Sequence, residues 1–287
     1  MEILINLLIL VITLFLYIHL YNQVKTSNYL EIYEIDNISK DKFEELCELK
    51  QPLLINNINI LNIDLSYIIN NYENFDVKVI NKKEEENIYL PMKLVTVLDL
   101  LKKDISGNYL SENNYDFLEE TSLNKEFSKS DSFLRPLGVS SIKYDIIFGS
   151  INSYTPLKYD LNCRNYFIVL NGSVEITLCP PKDYKYLHVN KDYFNFIFKS
   201  SIDIFNPESK HKSDFDKIKF LRVVLKPDTL IQIPSYWFYN IKFLEDNTLV
   251  ANYKYTTFMN SMASLPEYFI NFLQKNNTKK TFTKIIS

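Results

Sequence analysis

The stretch TPLKYDLN, Thr155 to Asn162, sets a lysine and an aspartate two residues apart, Lys158 and Asp160. On an extended strand such residues point to the same side, so an ammonium and a carboxylate share one surface. If that surface is buried, the two charges must be paired or hydrogen-bonded, and Lys158 with Asp160 is the expected pair. At neutral pH lysine offers three donors and no lone pair, so in that state it cannot ligate a metal. Further along, IPSYWFYN puts Trp237 and Tyr239 on another strand-like run. A buried phenol there can donate a hydrogen bond.

Other routes to chemistry are poorly supplied. The three histidines are His19, in an apolar run, His188, and His211 in the polar stretch PESKHKSDFDK; the last two read as loop or surface residues. Cys47, Cys163 and Cys179 form no CxxC pair and read as free thiols. No nucleophile elbow, phosphate-cradling glycine loop or zinc-deaminase signature is present. A net charge of −3 with no long basic run argues against nucleic acid as a partner.

The ordered strand motifs resemble the JmjC or cupin-like family of Fe(II)- and 2-oxoglutarate-dependent oxygenases, with the asparaginyl-hydroxylase branch the nearest likeness. That family carries T-P-x-H-x-D on one barrel strand, then G-x-K, a P-P turn, and I-P-x-x-W-W-H. Here stand Thr155, Pro156 and Asp160, then Gly172, Pro180 and Pro181, and finally Ile233, Pro234 and Trp237. The resemblance implies a double-stranded β-helix, and it also exposes three departures. Lys158 stands where the family has its first iron-binding histidine, Tyr239 where it has the second, and Val174 where a lysine anchors 2-oxoglutarate. Of the iron ligands only Asp160 remains. One extra residue separates Asp160 from Asn165 relative to that branch, which puts a co-substrate role for Asn165 in question. The resemblance therefore implies a degenerate site without metal or cofactor; Fe(II) and 2-oxoglutarate return only if another ligand set is used.

These residues need a scaffold, and the chain offers an α+β, mainly β one. Residues 3–21 are almost wholly apolar and long enough to cross a bilayer. No basic residue precedes them and no small-residue cleavage site follows, so a retained single-pass anchor over residues 1–22 is expected. Lys25 just after it weakly favours a cytoplasmic C-terminal domain.

Residues 23–139 read as an α/β lead-in. Asp41 and Glu44 have capping-box spacing and open a helix with Phe43, Leu46 and Leu49 on one face. Helical stripes follow at Leu65, Ile68, Ile69 and Tyr72, and at Met92, Val95, Leu98 and Leu101 with Pro91 at the start. Residues 140–260 are strand-rich, with branched and aromatic residues between turn candidates such as Asn171-Gly172, and form the cupin-like barrel. With four glycines in the chain, asparagine is expected to serve the turns.

Residues 261–287 hold a C-terminal helix with Leu265, Phe269, Phe272 and Leu273 on one face. Packing on the barrel is the plain expectation for that face, and a homodimer contact the sharper one. The expected function is a membrane-anchored, catalytically inactive JmjC-like binding or scaffold module, with a protein or peptide partner at the barrel mouth. The alternatives are an oxygenase with an unusual ligand set and a structural protein whose barrel is filled by aromatic side chains.

Overall fold

The computed structural model describes residues 1–58, 60–83 and 88–286. The chain begins with α1 (Glu2–Val24), then β1 (Tyr33–Asp36), α2 (Lys40–Glu48), β2 (Leu53–Asn56) and α3 (Leu65–Tyr72). It continues through β3 (Asp76–Asn81), β4 (Tyr89–Lys93), α4 (Leu94–Lys103), β5 (Tyr109–Ser111), α5 (Tyr115–Glu120) and α6 (Leu123–Ser130). The strand-rich part holds β6 (Val139–Gly149), β7 (Lys158–Tyr159), β8 (Arg164–Asn171), β9 (Val174–Cys179), β10 (Val189–Asp192) and β11 (Ile197–Ser200). After α7 (Lys212–Phe215) come β12 (Leu221–Leu225), β13 (Leu230–Ile233), β14 (Phe238–Phe243) and β15 (Thr248–Thr257). Two helices close the chain, α8 (Phe258–Ala263) and α9 (Leu265–Ile286).

The strands form two sheets, in the orders β1-β2-β13-β8-β15-β6-β5-β3-β4 and β10-β11-β7-β14-β9-β12. Eight of them make the double-stranded β-helix expected from the motifs. From β6 to β9 the chain alternates between the sheets, and from β12 to β15 it does so again. The neighbours within each set are antiparallel. The lead-in extends the larger sheet at both edges: β1 and β2 join beside β13, and β5, β3 and β4 join beside β6.

Three apolar layers follow from strand alternation. Ile147, Phe167, Val169, Val174, Ile176, Ile231, Trp237, Tyr239, Ile241 and Val250 meet between the sheets. The outer face of the larger sheet packs Tyr166, Tyr253 and Tyr255 against Phe43, Phe117 and Phe127 of the lead-in helices. Beyond the smaller sheet, Tyr159, Phe198 and Phe238 gather a third cluster. Arg164, almost fully buried, bolts α2 to the barrel: its guanidinium reaches Glu48 at 2.8 Å and the Cys47 carbonyl at 3.2 Å.

Several local readings hold and several shift. Asn37, Asn57, Asn113, Asn152 and Asn247 all take positive φ, the turn role expected of them. Gly172 (φ 73°) turns the chain from one sheet to the other, where a Cβ would run into Thr248. The N-cap of α2 is Ser39, which accepts from the Lys42 amide, so Asp41 lies inside the first turn and caps nothing. Pro91 sits in the edge strand β4 and not at a helix start, a place proline tolerates because no ladder donor is needed on the open side. With α4 starting at Leu94, its buried stripe is Leu94, Val97 and Leu101, and Val95 faces solvent. The three cysteines are free thiols, Cys47 and Cys179 buried.

Candidate functional site

Of the residues singled out in the sequence, Lys158, Asp160, Asn165 and Tyr239 converge, while Val174 and Thr155 stand apart from them. β7 lies between β11 and β14, and Lys158 sits opposite Tyr239 in the β7–β14 ladder. Asp160 follows directly, its carbonyl accepting from the Tyr236 amide. Asn165 is the second residue of β8, paired with Ile233 on one side and Lys254 on the other. Val174 opens β9 and is fully buried among apolar neighbours. Thr155 is fully buried and structural: its hydroxyl accepts from the Ile241 amide at 2.9 Å, stapling the approach to β7 onto β14.

The expected Lys158–Asp160 contact is replaced by two separate ion pairs. Lys158 Nζ donates to Glu112 Oε2 at 2.6 Å, and the other Glu112 oxygen accepts from the Tyr89 hydroxyl at 2.7 Å. Asp160 Oδ2 takes Lys254 Nζ at 2.9 Å, the Tyr239 hydroxyl at 2.6 Å and the Asn165 amide at 2.9 Å. Asn252 then donates to the Asn165 carbonyl at 2.7 Å, holding that amide in orientation. The result is a tetrad of two carboxylates and two ammoniums, two neighbouring ion pairs that feel each other's charge, with Tyr89 donating to one carboxylate and Tyr239 and Asn165 to the other.

The charges are mutually stabilising. Burial alone would raise the Glu112 carboxyl, but the Lys158 ammonium overrides it and holds it below the ordinary glutamate range. Asp160 is likewise pushed up by burial and brought down further by Lys254 and then Lys158. Burial would lower the Lys158 ammonium, yet Glu112 and then Asp160 keep it above the usual lysine value. Burial and the neighbouring Asp160 charge raise the Tyr239 phenol well above its ordinary value, so it stays a neutral donor. Beside the tetrad, Asp145 is raised to about 6 by burial, even though the amides of Asn113 and Asn114 donate to it.

This donor set does not fit an Fe(II) centre. Such a centre uses two imidazoles and a carboxylate with open positions. Here the positions that the resemblance gives to imidazoles carry an ammonium engaged with Glu112 and a phenol that donates to Asp160. The surviving carboxylate is occupied by three donors, one of them a second cation. Among the described residues no three His, Cys, Asp or Glu side chains converge as metal ligands. His188 pairs with Asp214 at 2.9 Å and packs against His211 at the surface. Val174 offers no charge to a dicarboxylate. Two open clefts of about 580 and 440 Å3 lie elsewhere, along α4 and beside residues 60–64, and no tetrad residue lines either.

The Cupin-like domain family model matches residues 39–261. The chain belongs to that family. The match covers both sheets apart from β1 and spans every tetrad residue. Curated relatives include HSPB1-associated protein 1 of rat, 27% identical over 105 residues, and its human counterpart, 26% identical over the same length. Each match covers 36% of this chain and 22% of the relative, so the chain spans about a fifth of the proteins it resembles.

Glu112 and Lys254 were not singled out in the sequence. Lys254 had a legible signal: in VANYKY, alternation puts it on the face of Val250 and Asn252, inside the barrel. Glu112 had none, because it follows a three-residue strand in the lead-in and reaches Lys158 only through sheet closure.

Proposed function

We propose that this cupin-like domain is a non-catalytic binding or scaffold module held at a membrane by α1. The observation that carries the reading is the tetrad: each of its two ammoniums is engaged with a carboxylate where the family resemblance puts a metal. A fold can lose its chemistry and keep its architecture. Here the lost ion's positive charge is supplied by Lys158 and Lys254.

The anchoring part rests on α1, a 23-residue apolar helix with no buried residue. It is therefore no core helix of this domain, and its length matches a bilayer's hydrocarbon thickness. Lys25 at its exit, with no basic residue before it, favours a cytoplasmic domain. The name of the curated relatives describes association with another protein. We carry this over as the expectation that the ligand here is also a protein, bound at the barrel's surface.

The test is anaerobic calorimetry on the full chain in lipid nanodiscs, titrated with Fe(II) or Mn(II), with and without 2-oxoglutarate. No saturable heat is expected in either series. Stoichiometric binding that 2-oxoglutarate strengthens would return the oxygenase reading to first place.

A further inference from the structure

The C-terminal helices carry an apolar face that the barrel does not cover. Phe258, Met262, Leu265, Phe269 and Phe272 follow one another at spacings of four, three, four and three, which keeps them on one side of a helical path. All are exposed: Leu265 by 57%, Phe269 by 61% and Phe272 by 60%, with Leu273 beside them at 44%. The expectation that Leu265, Phe269, Phe272 and Leu273 pack on the barrel is thus corrected. α9 docks through its other side, where Tyr268 stacks on Phe196 at 5.1 Å and the Asn271 amide donates to the Tyr193 and Phe194 carbonyls.

Three features say what covers that face. First, α1 runs beside α8. The α1 residues that are half-buried are Leu16, Leu20 and Gln23, one stripe near its end. Second, the exit of α1 is fixed to the barrel. The Ser27 amide donates to the Lys50 carbonyl, the Ser27 carbonyl accepts from Trp237 Nε1 at 3.0 Å, and Asn28 accepts from the Lys182 amide. These contacts hold the exit of α1 against the barrel while the helix itself lies beside α8. Third, the sequence from Tyr268 onward contains Lys275, Lys279, Lys280 and Lys284 and no acidic residue. Apolar side chains followed by lysines suit the acyl boundary of an anionic leaflet.

We propose that α8 and α9 lie on the surface of the bilayer that holds α1, with Phe258, Met262, Leu265, Phe269 and Phe272 among the acyl chains and anionic phospholipid as the partner. This rests on the reading of α1 as a membrane anchor. The domain is then seated against the bilayer along a second line of contact, and its orientation on the membrane is set.

Trp237 is the single tryptophan and is buried, so it serves as an internal background. The full chain is reconstituted in phosphatidylcholine–phosphatidylserine vesicles with brominated acyl chains, as Ile12→Trp, Phe269→Trp and Phe272→Trp. The expected result is loss of the added fluorescence in all three, weakened for Phe269→Trp and Phe272→Trp when phosphatidylserine is left out. Quenching of Ile12→Trp alone overturns the proposal and leaves the anchor standing. A blue shift of Phe269→Trp that grows with protein-to-lipid ratio but not with bromination shows that a second copy covers the face, which also overturns it. Absence of quenching in Ile12→Trp removes the anchor and the proposal together.

Discussion

Lys158 Nζ lies 2.6 Å from Glu112 Oε2, an ion pair that joins the second strand of the barrel to the end of β5 in the lead-in, 46 residues earlier. Its side chains are 17% and 7% exposed, so each charge depends on the other. Removing one partner of a buried pair costs roughly 3–5 kcal/mol, whereas replacing both by apolar groups of similar size is often close to neutral. Lys158→Met should therefore destabilise the fold by about 3 kcal/mol, and Lys158→Met with Glu112→Met should recover most of that loss. Chemical denaturation of the full chain in detergent gives both values. If the two effects simply add, the pair carries no coupling.

The sequence brought Lys158, Asp160, Asn165 and Tyr239 to one place because strand alternation and the ordered motifs bear directly on inward-facing positions. It misassigned the partner of Lys158 because pairing depends on which strand closes the sheet, and β5 carries no motif. The exposed face of α9 was misread for a related reason. Helical spacing identifies an apolar stripe, but only the fold shows that Tyr268 and Asn271, on the other side, make the contact with the barrel. Pro91 was placed at a helix start on spacing alone, where the edge of a sheet serves it equally well.

The pH dependence of stability should carry two opposed signatures. Asp145 has its folded pKa raised to about 6 by burial, so the folded state binds its proton more tightly than the unfolded chain. That contribution is fully present below the unfolded value and is lost as pH rises from about 4 to 6. After allowing for partial exposure it amounts to about 2 kcal/mol. Glu112 and Asp160, both lowered, act in the reverse sense, and their stabilisation disappears as pH falls below the ordinary carboxylate range. Asp145→Asn should remove the decline between about pH 4 and 6 and leave the acid limb intact. Melting profiles across pH measure this, and an unchanged decline would locate it in another group.

Restoring imidazoles should not by itself restore a metal site. In Lys158→His with Tyr239→His, the Asp160 carboxylate still accepts from Lys254, and that cation repels a divalent ion. Adding Lys254→Ala frees the carboxylate, so the triple variant should bind Mn(II) measurably more tightly than the double. Low-temperature Mn(II) electron paramagnetic resonance reads both. Equal binding by the two would show that Lys254 does not stand in for the lost ion's charge.

On the proposed reading, Lys158 and Lys254 hold the place of the ion. The most direct measurement is an experimental structure of the wild-type chain prepared anaerobically with Fe(II) and 2-oxoglutarate, with anomalous scattering recorded at the iron edge. The account predicts no iron peak beside Asp160, with Lys158 still on Glu112 and Lys254 still on Asp160. An iron peak within bonding distance of Asp160, with Lys158 turned away from Glu112, would contradict it.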